Sequence, residues 1–216
     1  MLDGYVSEKE QIDAIQKWWR ENGKFITIAV IVGLAIGFGW RHWHTLQLRR
    51  AENASIVYQS VLEADSQNKT ATVQGGAALL MKDFSSSPYA SLAALLAAKE
   101  YVAQNDLKNA TSSLQWVIDH SNQKRLQQIA RISTARILLS EGQTQLAMNE
   151  LKVVSDKSFE PLINWVKGDI FVEEGNAVDA QKYYTLAKNA LPEFPSAVDF
   201  MDKKIAQPIS EAHAKA

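Results

Sequence analysis

Cysteine is absent from the 216-residue chain. That excludes disulfides, thiolate metal sites, Fe–S clusters, a cysteine nucleophile and a lipidated N-terminal cysteine. Glycine and proline are scarce, at 10 and 5 residues, too few for a protein of many short strands with frequent turns. Charge of one sign is also lacking. The formal net charge is -1, so the chain carries no electrostatic footprint for nucleic acid. No Walker loop, GxSxG or HExxH motif occurs, and with them go the commonest phosphate, acyl-transfer and zinc-hydrolase signatures. His42-x-His44 has no matching carboxylate cluster, and His120 and His213 stand alone. Glu173-Glu174 reads as a surface pair at a helix end, not an acid/base dyad. No enzymatic activity, metal or cofactor is expected.

What remains is rich in helix formers. The chain is 46% hydrophobic and 22% charged, ordinary values for a folded protein. Residues 1–24 form an arm of mixed charge. Ser7-Glu8-Lys9-Glu10 fits a capping box, Ile12, Ile15 and Trp19 recur at helical spacing with Trp18 beside them, and Asn22-Gly23 is expected to stop the helix. The arm offers either interfacial anchoring or a docking segment for a cytosolic partner.

A transmembrane helix is predicted over 25–46. Phe25 to Trp40 carries no charge over 16 residues, about 24 Å of helix. Extension to Trp43 or Leu46, with Arg41 snorkelling, reaches the ~30 Å hydrocarbon thickness. Trp18 and Trp19 before the span and Trp40 and Trp43 after it are placed as aromatic anchors. Lys9, Lys17, Arg20 and Lys24 on one side slightly outnumber Arg41, Arg49 and Arg50 on the other, which favours a cytosolic N-terminus. A cleaved signal peptide is the competing reading, with Gly37-Phe38-Gly39 as a small-x-small site followed by the bulky Trp40-Arg41. Gly33 and Gly37 form a GxxxG that permits a helix–helix contact in lipid.

Residues 47–205 alternate alanine-rich helical patterns with short polar breaks. The clearest unit runs from Pro161 to Phe194, with Gly168-x-x-Phe171, a turn at Gly175-Asn176, then Ala180-x-x-x-Tyr184, Ala187 and a stop at Pro192. It resembles a tetratricopeptide repeat, with Trp165 one place late and Lys167 where a leucine is usual. A second copy turns at Glu141-Gly142, followed by Ala147, Leu151 and Val154. A third turns at Asn105-Asp106, followed by Ala110, Leu114 and Val117. The steps are 37 and 33 residues, with extra residues expected around Ser121–Lys124. Trp40 to Asp65 and Ala71 to Phe84 are expected as a helix pair capping the stack, and 206–216 as a flexible tail. The predicted class is therefore all-α: a single N-terminal transmembrane helix followed by a tetratricopeptide-like helical-repeat domain.

Two rows recur at fixed distances before the turns: Leu95, Ile132 and Trp165, and Lys99, Arg136 and Asp169. Together they are expected to line a groove for an extended peptide or partner helix. The alternative is an apolar row buried between helices beside solvated charges. The 16 basic and 19 acidic residues from Ala51 onward give this part no nucleic-acid character.

The run Trp18-Trp19-Arg20-Glu21-Asn22-Gly23-Lys24, the glycines late in the span, and Gly39-Trp40-Arg41-His42-Trp43 resemble the YfgM family of bacterial inner-membrane proteins, from about Ser7 to Ile205. The resemblance implies a cytosolic N-terminus, a periplasmic repeat domain, and association with the SecYEG translocon and the membrane-anchored chaperone PpiD. It also implies a part in handing exported polypeptides to periplasmic chaperones, and a link from the arm to the response regulator RcsB. A scaffold for another envelope complex and a homo-oligomeric structural protein are the rival readings.

Overall fold

The computed structural model describes residues 8–190 together with 203, 205 and 206. Ser7, Pro192 and the tail from Gln207 onward lie outside the described residues. The elements are α1 (Glu8–Ser66), α2 (Thr70–Asp83), α3 (Pro88–Ala103), α4 (Leu107–His120), α5 (Lys124–Ser140), α6 (Thr144–Glu150), α7 (Glu160–Glu173) and α8 (Ala177–Asn189). A short 3₁₀ turn, Lys157–Phe159, precedes α7. The chain divides into two compact units, Met1–Glu52 and Asn53–Ala216.

In the first unit α1 does not stop at Asn22-Gly23 as expected but runs through it. A glycine ends a helix when it takes a left-handed backbone, and Gly23 stays helical. The Trp19 indole lies over it, such that a Cβ there would sit 3.2 Å from the ring. Asn22 Nδ2 donates to Trp18 O at 3.1 Å and Thr27 Oγ1 to Gly23 O at 2.8 Å. A break at this point would free backbone groups beside the apolar run, where water is scarce. Ile28, Ile31, Leu34, Phe38 and Trp40 are all exposed. A helix exposing apolar side chains along this stretch suits a lipid environment. Among the described residues α1 is the one helix long and apolar enough to cross a membrane.

The second unit is built from helical hairpins. Among the described residues, four take a left-handed backbone: Asn68, Asn105, Gly142 and Gly175, with φ between 53° and 74°. They follow one another at steps of 37, 37 and 33 residues. One residue further on, Lys69, Asp106, Gln143 and Asn176 each donate an amide N–H to the carbonyl five residues back, on Ala64, Tyr101, Leu138 and Phe171, all at 2.8 Å. This is the Schellman closure that satisfies a helix end. The same offset then repeats inside the core: Val73, Ala110, Ala147 and Ala180 sit five places after the left-handed residue, and all are fully buried. The end of α1 and α2, expected to be only a cap, is thus a fourth hairpin with the geometry of the others.

Helix starts are fixed locally. Ser87 caps α3 ahead of Pro88, Asp106 Oδ1 accepts from Asn109 N–H at 3.2 Å, and Asn176 Oδ1 accepts from Asp179 N–H at 3.1 Å. The residues foreseen as an insertion around Ser121–Lys124 enter α5 as nearly one further turn: α5 has 17 residues and α7 has 14. The third hairpin departs from expectation. Its second helix, α6, has 7 residues against 14 in α2 and α4. Val154, expected on the helix, therefore lies beyond it and is exposed. The buried Gln128 of α5 replaces the missing turn, its Oε1 accepting from Ser155 N–H at 2.6 Å.

α3 shows how the hairpins join. Ala90, Ala93 and Ala97 pack with Ala54, Val61 and Leu80, whereas Ala94 and Ala98 pack with Ala110, Leu114 and Val117. Small side chains on both faces let three layers approach closely. At α7 and α8 the approach is tighter. A Cβ on Gly168 would lie 2.5 Å from the Tyr184 ring, and the Tyr184 hydroxyl donates to Asp169 Oδ1 at 2.6 Å. Burial, more than this hydrogen bond, raises the Tyr184 pKa above its ordinary value.

Gly168→Ala is expected to destabilise the protein by about 1–3 kcal/mol, as overpacking does. Gly75→Ala, which points into open space on α2, should leave stability unchanged or raise it by roughly 0.5–1 kcal/mol through helix propensity. Urea denaturation of the full chain in micelles, followed by circular dichroism, measures both. Equal midpoints would count against the close approach at Gly168.

Candidate functional site

An apolar-lined pocket lies between α3, α4 and α5, with a volume of about 400 Å³. Its apolar wall comes from Leu95 and Val102 on α3, Leu107 and Leu114 on α4, and Ile129 and Ile137 on α5. Among the described residues, two cations, Lys99 and Arg136, line it together with Ser133 and Ser140, and no carboxylate does.

The pocket exists because of a size difference between repeats. Ser133 stands nine places before the left-handed turn residue of its hairpin, and Val166 stands nine before that of the next. Against α3, the short Ser133 leaves a cleft. Against α5, Val166 is fully buried in one cluster with Ile132, Ala135, Ile163 and Ile170. The larger side chain closes the space that the serine leaves open.

Lys99 and Arg136 differ in their electrostatic surroundings. Lys99 Nζ lies 2.6 Å from Asp65 Oδ1 and 3.5 Å from Glu100 Oε1. Its pKa is raised, first by the hydrogen bond to Asp65, so it stays cationic with its charge already answered. Arg136 is exposed and has no carboxylate within ion-pair distance among the described residues. Its guanidinium carbon lies 6.0 Å from the Trp165 ring centroid, at the outer range of a cation–π contact.

The six residues expected to line a groove therefore separate. Leu95, Lys99 and Arg136 meet in the pocket. Trp165 adjoins it through Arg136. Ile132 is 2% exposed and belongs to the core between α5, α6 and α7, so it cannot meet a partner. Asp169 accepts from Tyr184 and serves the α7–α8 contact. Periodicity in the sequence did not reveal Val102, Ile129 or Ser133. The signal available was the exchange of serine for valine at one register position. In the first unit, Trp18, Trp19, Trp40 and Trp43 are all exposed, and a Cβ on Gly33 or Gly37 would meet nothing within 4 Å.

Stacked hairpins closed by left-handed turns, with an apolar pocket beside their first helices, define a helical-repeat protein with one candidate membrane span ahead of the hairpins. More specifically, the chain belongs to the tetratricopeptide repeat-like domain family, whose model matches residues 16–205. Three relatives extend the likeness over both units. The ancillary SecYEG translocon subunit of Escherichia coli is 25% identical over 83% of this chain and 86% of its own length. That of Haemophilus influenzae is 29% identical over 86% and 90%. That of Neisseria gonorrhoeae is 22% identical over 94% and 98%. The YfgM-like character read from the residues flanking the span agrees with these matches.

The different placement of Ile132 and Lys99 predicts different costs. Ile132→Ala should destabilise the chain by about 2–5 kcal/mol, as a cavity in a packed core does. Lys99→Ala, removing a largely exposed ion pair, should change stability by less than about 1 kcal/mol. Denaturant midpoints of the two variants give the comparison, and a neutral Ile132→Ala would return that residue to the groove.

Proposed function

We propose that this chain is an ancillary subunit of the SecYEG translocon in the bacterial inner membrane, acting by holding other polypeptides and not by chemistry. The observation that carries the reading is the extent of the likeness. Translocon subunits from distant bacteria match over 83–94% of this chain, across both the apolar helix and the hairpins. A match confined to the repeats would speak only for a common scaffold.

In this reading residues 1–24 form a cytosolic arm, 25–46 cross the bilayer, 47–205 form a periplasmic repeat domain, and 206–216 are a tail. Trp18, Trp19, Trp40 and Trp43 sit in the two headgroup layers, and Gly33 and Gly37 offer a close contact to a neighbouring transmembrane helix. The arm is assigned to the membrane interface in preference to a soluble regulator such as RcsB, because Ile12, Ile15, Trp18 and Trp19 are all exposed on it. The repeat domain receives exported polypeptides as they leave the channel and passes them toward periplasmic chaperones, PpiD among them. Tethering raises the local concentration of such partners, so modest affinity suffices.

Photo-crosslinking in native membranes tests the reading, with probes at Ile36 in the span and Val102 at the pocket. Adducts with the translocon from the first, and with a chaperone or an exported chain from the second, are the expected result. Failure of both probes to reach any such partner would remove the assignment. For topology, protease added to spheroplasts should digest the repeat domain and leave the arm. Protection of the repeats would reverse the orientation.

A further inference from the structure

We propose that the pocket between α3, α4 and α5 takes an apolar side chain from a segment of another protein that carries a carboxylate within one helical turn of that side chain, and that Arg136 pairs with the carboxylate. The proposal rests on the reading that this chain holds polypeptides, and it names the chemistry of what the pocket selects.

Charge complementarity carries the choice of occupant. Among the described residues, Lys99 and Arg136 line the pocket and no carboxylate does. Lys99 is engaged by Asp65 and Glu100, so its charge is spent within the fold. Arg136 is different. Its guanidinium carbon lies 6.0 Å from the Trp165 ring centroid, and no carboxylate among the described residues pairs with it. The planar guanidinium of arginine recognises a carboxylate through two parallel hydrogen bonds. Beside it the wall is aliphatic, with Leu95, Ile129 and Ile137 among the lining residues. An apolar group entering this wall withdraws surface from water at about 25 cal/mol per Å².

Size narrows the occupant further. About 400 Å³ is at the small end of ligand sites. It suits one or two side chains better than a long acyl tail. A free fatty acid would share the combination of carboxylate and apolar group, and the test separates it from a protein segment.

Selection falls at one position in the chain. The serine at 133 opens the pocket, and the valine at the equivalent place on α7 closes its counterpart. Ser133→Val should therefore fill the pocket without disturbing the fold, because the neighbouring hairpin already accommodates valine in the same register.

Fluorescence anisotropy with the full chain in micelles is the experiment. The probe is a fluorescein-labelled Gly/Ser/Ala decapeptide with one phenylalanine and one aspartate three places apart. Its control has lysine in place of the aspartate. The aspartate peptide is expected to bind about ten-fold tighter than the lysine peptide, as a charge-assisted pair at a partly exposed site allows. Arg136→Glu should invert the preference. Lys99→Ala should change affinity by less than about three-fold, because that charge is already engaged. Ser133→Val should weaken binding of the aspartate peptide by ten-fold or more while leaving the circular dichroism spectrum and the urea midpoint in place. Equal affinity for the two peptides, loss of saturable binding, indifference to Arg136→Glu, or displacement of the peptide by submicellar oleate at lower concentration than by unlabelled peptide would each overturn the proposal. Crosslinks from Ile36 and Val102 without charge-dependent peptide binding would remove this pocket assignment alone. Charge-inverting peptide binding without those crosslinks would keep the pocket and remove the translocon reading.

Discussion

Helices pack closely only where the side chains between them are small, and the repeat domain depends on that constraint at every layer. Ala110, Ala147 and Ala180 stand at the same offset after their turns, each fully buried, so each second helix can lie against its first. The first hairpin meets the same need differently. It carries Val73 at that offset and puts Gly76 beneath Val61. The last hairpin adds Gly168 under the Tyr184 ring. Left-handed residues set the turn, and the small residues set the depth at which two helices meet. From those two devices the pocket follows, because one small residue too many on a facing helix leaves space.

Much of the architecture was legible in the sequence. Charge-free residues flanked by tryptophans mark the candidate span, and Gly175, Gly142 and Asn105 mark turns at near-constant spacing. The first hairpin was legible only in part. Its left-handed residue Asn68 is an asparagine like Asn105, but its core position holds Val73 where the other hairpins have alanine, which masks the repeat. The step of 37 residues back from Asn105 was the remaining clue. The short α6 was hidden for another reason. Gln128 bonds the backbone at Ser155, a long-range contact that no local propensity signals. The helix likewise runs unbroken through Gly23, over which the Trp19 ring lies.

The candidate site was legible as a row of residues and not as a cavity. Counting back from the turns finds Leu95, Lys99 and Arg136 because a helix repeats its faces. It fails at Ile132 because the same face can be open against one neighbour and closed against the next. What decides between them is the volume of a residue on the facing helix, Ser133 or Val166, and periodicity carries no information about volume. The distinct roles of Lys99 and Arg136 were equally out of reach, since Asp65, which engages Lys99, belongs to the preceding hairpin.

The alanines on both faces of α3 have a further consequence for the life of the chain before it folds. Each withdraws little apolar area from water, so its burial contributes modestly and separated hairpins expose correspondingly little adhesive surface. A leucine-rich seam would grip harder and would also capture stray hydrophobic segments whenever it opened. The alanine seam forgoes strength at each contact and gains inertness. In a crowded compartment, that makes a half-assembled stack a poor trap for other unfolded chains.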